Sequence, residues 1–260
     1  GHVSMAALDG KVYIIGGGRA KVFDPVARTV GDWVPTSGTL PGQTADGTTT
    51  ATIILQFRGR LLLAGIESEP NNAYFSAIAE PLTWDTAELT PGRAVALGVG
   101  RNVTVGDPIV GAAVLSNNAL LIGCSNSLYI LQGDPDDLAS DLTPVALNTG
   151  CSGVRAITTA EEGLGVIHSP EGLYLVPNGG APIALSRDVL TERIEYPRTE
   201  RGSYNVTLIR DPARAGILIF LNAGAGSTHF WYDERTGSYR RGRGGVFPEK
   251  YPYQPTCGPG

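Results

Sequence analysis

Five times along the chain a short apolar run leads through a tight polar turn into a second short apolar run, at nearly even spacing. A period of this size marks a repeat architecture. The second runs are KVYIIGG (Lys11 to Gly17), LLLAGI (Leu61 to Ile66), ALLIGCS (Ala119 to Ser125), GLGVIHS (Gly163 to Ser169) and GILIFLN (Gly216 to Asn222), so their starts lie 50, 58, 44 and 53 residues apart. The runs before them are SMAALDG, ATIILQF, IVGAAVLS, VRAITTA and YNVTLIR. Those after them carry an aromatic: Phe23, Tyr74 with Phe75, Tyr129, Tyr174, and Phe230 with Trp231 and Tyr232. Runs this short, rich in Val, Ile, Leu, Thr and Tyr and bounded by Gly, Asn and Asp, are strands. A helical period is weakly sustained only from Ser186 to Tyr196.

Four antiparallel strands per unit, repeated radially, leave only short protected edges, which is the β-propeller solution. The expectation is one all-β propeller over residues 1–260, of about five four-stranded blades, or six if the chain is incomplete. The blades fall near 1–40, 41–105, 106–150, 151–200 and 201–250, with 251–260 as a tail. A β-sandwich is the competing fold, and the even spacing disfavours it. Gly16, Gly65, Gly123 and Gly224 fall after or near second strands, where they either admit close strand approach or simply form turns.

Composition agrees. Gly (35) and Pro (18) make up about a fifth of the 260 residues and charged residues only 17%, which excludes coiled coils and ordinary disorder. Apolar runs stop at five or six residues, far short of the ~18 to 20 needed for a membrane helix, and GHVSMAALDG has no basic region leading into an apolar one, so no signal peptide and no membrane span are expected. Cys124, Cys151 and Cys257 are too few for a disulfide framework. The net charge of −5 is uneven. Residues 1–184 carry 9 basic and 17 acidic side chains, residues 185–260 carry 11 and 8, and only three of the 20 basic residues are lysines. An acidic chain is a poor free-standing nucleic-acid binder, although a local basic surface near the C-terminus stays open.

Two resemblances follow from particular residues. GHVSMAALDGKVYIIGGG with AKVFDPVARTVGDW resembles a Kelch repeat: His and Ser ahead of the first strand, a Gly pair after the second, Asp-Pro in the third, and Trp33 closing the blade. It implies fold more than function. The stretch NAYFSAIAEPLTWD (Asn72 to Asp85), with a YFS…P…W element, and Gly111 to Asp188, with NNALLIGCSNSLYILQGDP and GLGVIHSPEGLYLVPNGG, lie within a span of about 120 residues and resemble propeller-bearing virion proteins of tailed bacteriophages, of the tail nozzle or head-completion type. Nozzle proteins are much longer, so the likeness implies their propeller alone or a smaller neck or tail relative. It also implies a virion location after assembly in the bacterial cytoplasm, with other virion proteins and copies of itself in a ring as partners.

The chemical motifs are sparse. Gly98-Val99-Gly100 and Gly224 to Thr228 lack the Lys and following helix of a phosphate loop. His2, His168 and His229 share no ligand spacing. Asp134, Asp136 and Asp137 with Asp141 offer hard oxygens without the EF-hand pattern, and read as a solvated connecting loop. Asp9, Asp46 and Asp107 are the acids nearest blade starts, but a propeller glycosidase needs two or three converging carboxylates, and no sialidase-type box recurs. No enzyme activity, cofactor or metal is expected. Arg240, Arg241 and Arg243 form the one dense basic segment, a candidate contact to acidic neighbours or to DNA in transit, or a solvated turn. A Kelch-like interaction module is the second functional reading, and a carbohydrate-active propeller the third.

Overall fold

A computed structural model describes residues 3–99, 107–137, 141–160, 163–185, 204–223 and 226–241. These form a five-bladed β-propeller. The first blade comprises β1 (Ser4–Leu8), β2 (Lys11–Ile15), β3 (Lys21–Asp24) and β4 (Thr29–Asp32). The second comprises β5 (Ile53–Phe57), β6 (Arg60–Ala64), β7 (Asn72–Phe75) and β8 (Val95–Gly98), and the third β9 (Ile109–Ser116), β10 (Ala119–Cys124), β11 (Leu128–Gln132) and β12 (Asp141–Ala146). The fourth has β13 (Ile157–Thr159), β14 (Leu164–Ser169), β15 (Gly172–Pro177) and β16 (Ile183–Ala184). The fifth has β17 (Tyr204–Asp211), β18 (Gly216–Ala223), β19 (Gly226–Asp233) and β20 (Ser238–Arg241). Each blade is an antiparallel meander in chain order, and no helix occurs among the described residues. The weak helical period at Ser186 to Tyr196 lies outside the described residues.

The tight turns follow from residue chemistry. Asp9 and Gly10 both have positive φ (51° and 69°), as do Arg58 and Gly59 (50° and 75°). Two consecutive positive-φ residues make the two-residue turn whose twist matches that of antiparallel strands, and Asp-Gly is among its preferred pairs.

Burial explains why the second strands read as unbroken apolar runs. Every residue of β6 and β10 is buried, because each face of an interior blade strand packs against a neighbouring blade, so no position faces water. Side-chain alternation then sorts the residues. Leu61 and Leu63 join a cluster with Tyr13, Ile15 and Trp33 of the first blade. Leu62 and Ala64 join Leu120, Ile122 and Tyr129 of the third. Likewise Leu120 and Ile122 face the second blade, whereas Leu121 lies with Val166, Ile217 and Phe230 of the fourth and fifth. Fully burying each such side chain contributes roughly 1.5–3 kcal/mol. The fourth strands are different: β4 and β16 are exposed along their whole length.

Candidate functional site

Five first strands ring the axis, so every blade contributes to one channel. It encloses about 440 Å³ and is lined from β1 by Ser4 and Met5, from β5 by Ile53 to Leu55, from β9 by Ala112, from β13 and the linker before it by Val154, Arg155 and Ile157, and from β17 by Thr207 to Ile209. Most of the described lining residues are aliphatic, and they include no Asp, Glu, His or Cys. Arg155 is the single charged residue among them. Its carbonyl accepts the Leu208 amide at 2.8 Å, which ties the linker to the fifth blade.

Around this channel the blades are locked by polar contacts concentrated on the residues that make the sequence distinctive. Trp33 is buried against Tyr13 (ring centroids 4.8 Å apart) and Trp84 (5.8 Å). Both indole N–H groups donate to the Pro81 carbonyl, from Trp33 at 3.2 Å and from Trp84 at 2.9 Å. Ser76 Oγ accepts the Leu61 amide at 3.0 Å and donates to the Ala77 carbonyl. The YFS…P…W element is thus a joint between the first two blades, made by satisfying buried donors that would otherwise cost free energy.

The acidic loop departs from the expectation of a solvated connector. Arg60 has no exposed surface. It donates to Asp134 at 2.9 Å and to the Ser76 carbonyl at 2.8 Å, and further to the Gly92 and Arg93 carbonyls. Asp136 accepts from Arg93 Nε at 2.8 Å and from the Gly92 amide at 2.9 Å. Burial pushes the Asp136 carboxyl up, but the Arg93 hydrogen bond, the Gly92 amide and the charges of Arg93 and Arg60 outweigh it and hold it below the usual range. The reason is tertiary: a buried guanidinium requires a paired anion, and the turn between β11 and β12 is the segment that reaches it. Asp134 and Asp136 clamp the third blade to the second. Among the described residues no group of three His, Cys, Asp or Glu side chains is placed to hold a metal ion.

The other acids also serve structure. Asp107 is buried and accepts from the Asn126 amide at 2.9 Å and from the Ser127 hydroxyl, closing the third blade at its linker. Asp46 staples its loop, accepting from the hydroxyls of Thr44 and Thr48 and the Thr48 amide, contacts that hold its pKa below the ordinary value. Asp9 is the turn residue already described. His168 is fully buried, with Nδ1 2.9 Å from Ser152 Oγ, and His229 packs beside Phe220. His2 lies outside the described residues. Cys124 and Cys151 are buried free thiols. Arg240 and Arg241 lie on β20, the outermost strand of the fifth blade, opposite Trp231 and Phe230 in the ladder. Arg243 and Cys257 lie outside the described residues. Arg60 and Arg155, the two most consequential arginines here, carried no local signal in the sequence, because their importance lies in partners and walls supplied by other blades.

The sequence matches no family profile and no curated protein. Solved structures share the fold. A quinonprotein alcohol dehydrogenase-like protein from Bacteroides thetaiotaomicron is 12% identical with TM-score 0.55, covering 92% of this chain and 54% of that one. The extracellular domain of a protein described as a hybrid two-component system from the same organism is 11% identical with TM-score 0.54, covering 88% and 27%. A chain of the mitotic checkpoint complex is 11% identical with TM-score 0.51, covering 92% and 64%. The chain therefore spans from about a quarter to under two thirds of these structures' lengths. At such identities the likeness is one of fold alone. Among the described residues no helix is long and apolar enough to cross a membrane.

Proposed function

We propose that this propeller is a contact-making structural component of a tailed-phage virion, at the tail nozzle, neck or hub, and that it works by geometry rather than by chemistry. The observation that carries the contact role is the outer edge of the first blade. β4 is exposed throughout, and Val26 (92% exposed), Val30 (62%) and Val34 (66%) stand on or beside it. A strand edge with open backbone groups and exposed valines, here beside the ion pairs of Asp32 with Lys21 and Arg19, is a template for association. A neighbouring subunit that covers it gains apolar burial and backbone hydrogen bonds together. The sequence likeness of Asn72 to Asp85 and Gly111 to Asp188 supports the virion setting.

The charge distribution supports ring contacts. If the basic close of the chain meets acidic surface on the next copy, each exposed pair contributes only ~0–1 kcal/mol, so assembly rests on many pairs plus the apolar edge. Replacing Arg240, Arg241 and Arg243 together by Ser is expected to leave the circular dichroism spectrum unchanged and to reduce incorporation into particles. Imaging of purified particles with the chain tagged tests the setting directly. Density at the tail or neck is the expected result, and particles lacking the chain would overturn the virion assignment. The Kelch-like first blade favours a host interaction module as the second reading, and co-purification with a cellular partner, in place of particle incorporation, would select it.

A further inference from the structure

We propose that the axial channel binds an amphipathic monoanion, an unbranched alkyl chain ending in a carboxylate. The described walls form an open concavity of mixed surface, aliphatic in most of their residues, with Ser4, Thr207 and Arg155 as the polar side chains. Met5 is 61% exposed and Ile209 49% exposed within that concavity, where side chains of this kind ordinarily find partners. A volume of about 440 Å³ falls within the range of small-molecule sites, roughly 300–1,000 Å³.

Arg155 selects the charge and the number of charges. It is the one ionisable residue among the described lining residues, and no side-chain ion pair or hydrogen bond joins it to another described residue. Its backbone is pinned by the Leu208 amide, so the guanidinium projects from a fixed point. A guanidinium matches a carboxylate in a bidentate pair, whereas a cationic ligand would find no acid among the described lining residues. A polyhydroxylated ligand would need more donors and acceptors than Ser4 and Thr207 supply, and Ser4 Oγ already donates to the Thr52 carbonyl at 3.1 Å. A polyphosphate would leave charges uncompensated beside hydrocarbon.

The test is isothermal titration calorimetry of the purified chain with decanoate, with decanol as the uncharged probe. Saturable one-to-one binding of decanoate is expected, with a negative heat-capacity change from apolar burial. Decanol, and decanoate offered to Arg155→Gln, should each bind at least about tenfold more weakly, since a charge-assisted pair is lost. Arg155→Lys should fall between the wild type and Arg155→Gln, because the charge is kept and the bidentate pair is lost. Met5→Glu, at a largely exposed position that leaves the fold intact by circular dichroism, should weaken decanoate through like-charge repulsion. Absence of saturable binding by the folded chain would overturn the proposal. So would equal affinity for decanoate and decanol, or binding indifferent to both Arg155→Gln and Met5→Glu.

Discussion

Arg60 shows how one side chain can hold two blades. A guanidinium without solvent contact needs every donor engaged, and Asp134 with the carbonyls of Ser76, Gly92 and Arg93 supplies the acceptors. Arg60→Met keeps the stem but leaves Asp134, only 16% exposed, with Arg58 at 3.8 Å and the Asp136 amide alone, and takes the donor from three carbonyls, so a loss of roughly 3–5 kcal/mol is expected. Urea denaturation measures it, and a midpoint within error of the wild type would show that water replaces the clamp. The thiols give a second residue-scale outcome. Burial pushes Cys151 up to about 12, and burial followed by the charge of Asp107 does the same to Cys124. A raised folded value means that the stability these thiols contribute is intact below the unfolded value of about 8.5 and is lost as pH climbs toward 12. Native protein at pH 8 should accordingly leave Cys124 and Cys151 unreactive toward a thiol reagent, while denatured, non-reduced protein should titrate three groups, Cys257 included. One group in the denatured sample would mean a disulfide.

At the scale of elements, the blades tolerate change where strands face water and resist it where one blade's backbone meets another segment. Gly150 lies in the linker from the third blade to the fourth, and a Cβ there would sit 2.1 Å from the Ser125 carbonyl oxygen, an atom that cannot swing aside. Gly150→Ala should therefore cost about 3 kcal/mol or more, since the linker or the β10–β11 turn must shift. Gly10 has positive φ but open space around its missing Cβ, so Gly10→Ala should cost only about 1 kcal/mol of backbone strain. Thermal melts of the two variants side by side test the contrast, and a Gly150→Ala melt as mild as that of Gly10→Ala would mean that the linker moves freely.

For the molecule as a whole, the ring has an uneven seam. Three buried clusters run from the first blade to the second, from the second to the third, and through the third, fourth and fifth. None of them, among the described residues, joins the fifth blade to the first. Among the described residues each of those two blades is made of four consecutive strands, with none exchanged between them. Opening at this seam should need the least free energy. Hydrogen exchange is then expected to be fastest in β1 and β17 among the first strands and slowest in β6 and β10. Uniform protection across all five first strands would show a ring closed as firmly there as elsewhere.

How much of this was legible follows from where the information sits. The first, second and third strands of every blade could be read from local apolar runs, because hydrophobic burial on both faces writes itself into consecutive residues, as in LLLA of β6 and ALLIGC of β10. The fourth strands could not, since β4 and β16 are exposed and carry no pattern that burial imposes. The turns at Asp9-Gly10 were visible because positive φ restricts residue choice locally. Partnership was not visible. Asp134 reads as a solvated acid until the fold delivers Arg60 from a distant strand, and Pro81 is only the P of the YFS…P…W element until two indoles converge on its carbonyl. Arg155 is one arginine among many until five blades surround it with hydrocarbon. The sequence by itself determined the repeat and the strand chemistry and narrowed the blades to five or six, because those depend on neighbours along the chain. Which charges pair, which acids are spent on structure, and what lines the axis were decided only by tertiary structure, because each depends on residues brought together from different blades.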